Sequence, residues 1–188
     1  MKNGLKAIIA VAAVILVIVG IVAGSYNSLV TAQTAVETKQ ADIQTQLQRR
    51  ADLIPNFVST VKGYTKYEQE TLTAVTEARA KVGNANSAQS LSEADEELDK
   101  AISVWVNAVT EAYPDLKANS NYIALQDELA GTENRIAVAR KDYNEAVQSY
   151  NAMIKKFPKN IIAGMFGFEK ADFFNADSSA QTVPSVEF

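Results

Sequence analysis

The side chains best equipped for chemistry fall into four groups. Arg49, Arg50 and Asp52 form a dense polar cluster, which as a functional site would be a polar contact point. Glu133, Asn134 and Arg135 form a second cluster. General acid or base work by Glu133 would need another group in the same pocket, and the sequence offers no candidate pair. Tyr143 and Tyr150 stand seven residues apart, each followed by Asn, and could stack a ligand. Glu93, Asp95, Glu96, Glu97 and Asp99 form an acidic run that could gather divalent cations, but the spacing fits no EF-hand loop.

Each group also has a plainer role. The arginines and Asp52 fit a helix cap with ion pairs to Glu133 or another carboxylate of the long helix, because helix ends need polar partners. Glu133, Asn134 and Arg135 fit a polar network that fixes bundle register. Tyrosines at heptad spacing fit a core position with the hydroxyl at the bundle edge. The acidic run fits a solvated helix start.

What the chain lacks narrows the chemistry further. It has no Cys and no His. Disulfides, thiolate chemistry, thiolate metal sites and a lipidated cysteine are excluded. The commonest general base and transition-metal ligand are both missing. No cofactor and no metal site is expected, and catalysis would have to rest on carboxylates. The net charge of −4 gives no reason to expect nucleic acid. No phosphate-cradling glycine loop is present.

These residues must be positioned by helices. From Tyr122 to Phe157, steps of three and four reach Tyr122, Leu125, Leu129, Thr132, Ile136, Ala139, Tyr143, Ala146, Tyr150, Met153 and Phe157. Only Thr132 is neither apolar nor aromatic. Such a seam marks a coiled-coil-like helix that other helices must cover. Leu125, Leu129, Ile136, Tyr143, Tyr150 and Phe157 are its expected core residues. Pro158 ends it.

The N-terminus is of a different kind. Lys2 and Lys6 precede an uncharged run from Ala7 to Gly24. Its apolar residues include Ala7, Ile8, Ile9, Val14, Ile15, Leu16, Val17, Ile18, Ile21 and Val22. The run is just long enough to span a bilayer and longer than a usual signal-peptide core. It reads as an uncleaved single-pass anchor in the cell membrane. A cleaved signal remains the alternative. The lysines favour a cytoplasmic N-terminus and an external bundle.

Between anchor and long helix the sequence predicts three more helices. Ser25 to Arg49 carries Leu29, Val36, Ile43 and Leu47 on one face. Asp52 is an expected N-cap, with Pro55 in the first turn of a second helix. The face of that helix is Ile54, Val58, Val61, Leu72, Val75 and Val82, with Thr65, Glu68 and Arg79 between. Gly83 to Asn86 reads as a loop. A third helix, from Ser87 or Ser92 to Tyr113, shows Leu91, Ala94, Leu98, Ile102, Trp105, Val109 and Ala112. Asn119 to Asn121 offers a cap for the long helix. The prediction is an all-α, up-down antiparallel bundle of about four long helices, its first helix continuous with the transmembrane helix.

Several segments carry a resemblance. They are Tyr26 to Val30, Gln48 to Asn56, Val61 to Tyr64, Tyr113 to Lys117, Leu125 to Leu129 and Thr132 to Ala137. Tyr143-Asn144, Tyr150-Asn151, Phe157-Pro158 and Asn160 to Ala163 continue the series. In this order they resemble the LemA family over nearly everything from Tyr26 to Phe174. The loop Gly83 to Ser92 and the tail depart from it. The resemblance implies a membrane helix followed by a helical bundle, an association with envelope processes, and no established activity, cofactor or catalytic residue. The expected organisation is a basic N-terminus (1–6), a transmembrane helix (7–24), a LemA-like bundle (25–174) and a disordered tail (175–188).

The function expected is that of a non-enzymatic envelope scaffold or adaptor. It would contact the lipid bilayer and other membrane or envelope proteins, in an oligomeric state the sequence leaves open. A secreted or surface bundle after cleavage, or a carboxylate-based enzyme, are the alternatives. After Pro158, Ile161, Ile162, Met165, Phe166 and Phe168 place much apolar surface in a short segment. It either folds back to cap the bundle or serves as a docking surface for a membrane protein or lipid.

Overall fold

The computed structural model describes residues 2–62 and 69–174. Its elements are α1 (Lys2–Lys62), α2 (Gln69–Asn84), α3 (Ala88–Ala112), a 3-10 turn (Pro114–Ala118), α4 (Ser120–Lys155) and α5 (Lys159–Phe166). No strand occurs among the described residues. The fold is an all-α helical bundle whose first helix is continuous with the N-terminal apolar segment. The chain divides into two compact units, each drawing on both α1 and α4.

One unit comprises 39–144 and 172–188. Its described cross-helix pairs give the register. Lys39 meets Asp142, Arg50 meets Glu133 and Arg49 meets Glu128. Lys39, early on this stretch of α1, meets the late Asp142, and the later Arg49 and Arg50 meet the earlier Glu128 and Glu133, so these helices run antiparallel. Asp52 meets Arg79 of α2, and Gln40 bonds the Asn86 carbonyl, so α2 also descends against α1. Thr110 of α3 meets Tyr122 at the start of α4. The order is up, down, up, down. Ile43, Leu47, Ala51, Ile54, Phe57 and Val61 of α1 are buried, as are Val75 and Val82 of α2, Leu91, Leu98, Trp105 and Val109 of α3 and Ile136 of α4. Phe57 sits at the centre, with its ring centroid 5.1 Å from both Trp105 and Tyr122.

α1 corrects the expected break. No helix ends at Arg49, and Asp52 is not a cap. Its carboxylate accepts from the Gln48 amide and pairs with Arg79. Pro55 lies inside the helix, where a proline removes one backbone hydrogen bond and costs about 3 kcal/mol. The buried face runs through it in unbroken phase, from Leu47 to Ala51, Ile54, Phe57 and Val61. Burying these side chains, at roughly 1.5–3 kcal/mol for each large one, outweighs the proline. Thr65 and Glu68 lie outside the described residues, as do Gly63-Tyr64 and the tail 175–188.

The caps follow local chemistry. Ser87 caps α3 in a reciprocal box with Ser90, satisfying donors that the first turn leaves open. The first turn of α3 contains no acid, so the acidic run begins further in than a helix start. Asn119 accepts from the backbone of Asn121 and Tyr122 and caps α4. Thr132, the polar seam residue, is buried, and its hydroxyl bonds the carbonyls of Leu129 and Glu128. That internal bond lets a hydroxyl occupy a core position.

The other unit comprises 1–38 and 145–171. Leu29 and Val36 of α1 are buried in it, with Val147, Tyr150 and Ile154 of α4 and Ile162 and Ala163 of α5. From Gly4 to Gly20 every residue is exposed. This part of α1 is long and apolar enough to cross a membrane.

Candidate functional site: a buried charge cluster and a clamped C-terminal segment

The polar residues singled out by sequence separate into two constructions. The first lies within the unit 39–144. Arg50 is only 4% exposed. It reaches Glu133 at 2.7 Å through Nη1, Asp99 at 2.5 Å through Nη2 and Asp95 at 3.5 Å. Asp95 is fully buried and is also met by Arg140. One guanidinium therefore ties α1 to both α3 and α4. Its planar fork suits several carboxylates at once, which a lysine cannot match. The ion pair with Glu133 is the one the sequence indicated.

Three members of this cluster, Asp95, Asp99 and Arg140, are not among the partners the sequence indicates. Asp95 lies in the run that fits a solvated helix start, yet it is the most buried charge among the described residues. Its signal was position: it lies four residues after Leu91 and three before Leu98, on the seam face. Arg140 stands likewise four residues after Ile136 and three before Tyr143. Apart from Asp95 and Asp99, the acidic run makes local or surface pairs. Glu97 pairs with Lys81 at 2.5 Å, Glu96 with Lys100, and Glu93 accepts from Gln89. Arg135 and Arg49 share the Glu128 carboxylate at 2.9 and 2.6 Å.

The second construction explains the paired Tyr-Asn motif. In the unit 145–171, Tyr150 donates its hydroxyl to the Glu169 carbonyl at 2.8 Å. Asn151 donates to the Ala171 carbonyl at 2.8 Å and accepts from the Ala171 N–H at 3.0 Å. In the other unit the same set recurs. Tyr143 bonds the Asp172 carbonyl at 2.8 Å, and Asn144 bonds both the carbonyl and N–H of Phe174 at 3.0 and 2.9 Å. Each Asn amide thus binds both the N–H and the carbonyl of a single residue.

The motifs lie seven residues apart on α4 and their targets three apart in the segment after α5. Burial, and secondarily the charge of Asp172, holds the Tyr143 hydroxyl above its usual range. Burial, then Glu169 and Glu37, does the same for Tyr150. Both tyrosines are buried, and their hydroxyls donate to backbone carbonyls. Phe174 is buried, with Arg140 stacked 5.2 Å from its ring centroid.

The seam of α4 is buried at Tyr122, Thr132, Ile136, Ala139, Tyr143 and Tyr150, and half-buried at Leu125, Leu129 and Met153. Phe157 departs from the expected core and is 80% exposed. α4 ends at Lys155, so the helical phase that would have turned Phe157 inward is already lost. On α3, Ala112 is exposed in the last turn.

The segment after Pro158 is divided. Ile162 is buried, Phe168 half-buried, and Ile161, Met165 and Phe166 are exposed. Gly167 takes a left-handed conformation (φ 74°) that ends α5, a geometry glycine adopts without strain. The turn brings Phe168 and Phe166 against Tyr26, with centroids 5.7 and 4.9 Å away.

Comparison with known proteins agrees with this architecture. The LemA family profile matches residues 39–188, a range that begins after Tyr26 to Val30. Magnetosome protein MamQ 2 of Paramagnetospirillum magneticum is 25% identical over 84% of this chain and 67% of its own. Protein LemA of Metamycoplasma hominis is 29% identical over 81% and 67%. Magnetosome protein MamQ of Magnetospirillum gryphiswaldense is 22% identical over 84% and 67%. With its apolar N-terminal helix and a family match covering most of its length, this membrane-associated helical protein belongs to the LemA family.

Proposed function

We propose that the chain is a non-enzymatic scaffold or adaptor of the cell envelope that works through protein–protein contacts. The observation that carries this reading is the continuity of α1. The helix that is apolar enough to cross a membrane goes on to supply Leu29, Val36, Ile43, Leu47 and Phe57 to buried positions. The charges near the centre of the bundle support the same reading, because Arg50, Asp95, Asp99, Glu133 and Arg140 pair with one another across helices. The lysine bias around the span favours a bundle outside the cytoplasm.

Photo-crosslinking in native membranes tests the proposal, with a crosslinking residue at the exposed positions Val104 or Val138. Discrete protein adducts are expected at one or both. If only lipid or solvent adducts form, the adaptor reading fails. Protease added to intact spheroplasts is expected to digest the bundle, and digestion only after lysis would reverse the orientation.

A further inference from the structure

We infer that α5 is a second membrane contact, an interfacial helix that lies in the headgroup layer beside the anchor. The inference goes beyond the adaptor reading and does not depend on it. All the residues involved belong to the unit 1–38 and 145–171.

Three observations converge. The first is depth. The run Ala7 to Gly24 rises about 27 Å as a helix, close to the roughly 30 Å hydrocarbon core. Tyr26 follows Gly24 by two residues, or about 3 Å, which puts its ring among the headgroups, where interfacial aromatics gather. Phe166 and Phe168 pack on that ring. The end of α5 is therefore held at the level where the anchor leaves the bilayer.

The second observation is an apolar face that the fold leaves open. α5 already turns Ile162 and Ala163 inward. Its outward residues are Ile161 (52% exposed), Met165 (70%) and Phe166 (53%), and Phe157 is exposed just before it. Four large apolar side chains so close together are unusual on a surface facing only water. Interfacial helices bury such a face about 5–10 Å into the boundary of headgroups and acyl chains.

The third is charge. Lys155, Lys156, Lys159 and Lys170 flank the segment, and Glu169 is the only carboxylate between Met153 and Ala171. Lysines beside an interfacial apolar face draw it to anionic lipid. A protein groove would explain the apolar face, but not its depth beside Tyr26 together with the lysines.

The absence of cysteine makes the test direct. Full-length Met165→Cys carries an environment-sensitive fluorophore in nanodiscs of phosphatidylethanolamine and phosphatidylglycerol. Val138→Cys, on the exposed face of α4, is the control. Both variants stay in the bilayer through α1, so the readout reports α5 alone. Matched circular dichroism melts show that labelling at these exposed positions leaves the fold intact. The expected result is a blue-shifted emission at 165, with most of it quenched by lipids doxyl-labelled near the headgroup end. The control should show neither. Lys155→Glu with Lys156→Glu and Lys159→Glu should lower the quenching. A water-like emission at 165 overturns the inference. So does a blue shift that doxyl lipids leave unquenched, which would place the residue against protein instead. Quenching unchanged by the charge reversals overturns the role given to the lysines.

Discussion

Arg50→Met is the sharpest perturbation of the charge cluster. Arginine and methionine share a flexible stem, so the substitution removes charge and donors with limited loss of packing. It strips one counter-ion from Asp95, Asp99 and Glu133. Breaking a buried pair from one side costs about 3–5 kcal/mol, because the remaining charge stays uncompensated. The side chains of Asp99 and Glu133 are each 43% exposed, so water takes over part of their solvation. Asp95 is fully buried but keeps Arg140. The expected loss is therefore at the lower end, about 3 kcal/mol. For a chain of this size that corresponds to a fall in Tm of roughly 6–12 °C. Circular dichroism melting of the full-length protein in detergent micelles measures it. Arg50→Lys should fall between, since an ammonium keeps the charge but not the fork. A Tm within about one degree of the parent would refute the reasoning, showing that the cluster holds nothing the apolar core does not.

Ile136→Asp should be more severe, above about 4 kcal/mol, since it buries a charge with no partner designed for it; an unchanged melt would disprove its core position. Asn151→Ala removes both hydrogen bonds to Ala171, a loss of about 1–3 kcal/mol. It should appear as faster amide exchange in 169–171 with the bundle little affected; unchanged protection would deny the clamp. Tyr143 and Tyr150 hold their protons above the ordinary range near 10. The fold therefore favours the neutral phenol, and stability is level below that range and falls as pH rises through it. Replacing both with Phe should flatten this alkaline loss in denaturant titrations, and an equally steep loss would show that other groups cause it.

Much of this architecture was legible because it rests on repeating apolar patterns. The seam of α4 from Tyr122 to Tyr150 and the faces around Leu29, Ile43, Leu91 and Trp105 follow from helical periodicity, which local sequence carries. The apolar span is legible for the same reason, since its length and lack of charge need no tertiary context. The Arg50–Glu133 pair was also within reach, because both residues flank predicted seams.

Other features were decided only when the helices met. Pro55 has a strong local preference for a helix start. Only the buried positions on either side of it, sharing one face with Phe57 between Trp105 and Tyr122, keep α1 unbroken. Asp95 looks like one carboxylate among several until α1 and α4 bring Arg50 and Arg140 to it. Phe157 continues the heptad in sequence but not in space, because the helix ends two residues earlier. The Tyr-Asn pairs advertise a repeat without naming its target. That target is backbone of a segment about twenty to thirty residues further on, and backbone leaves no mark in side-chain pattern. Local periodicity thus set which residues would be helical and apolar, while the pairing of distant elements set which polar groups could be buried and what they would hold.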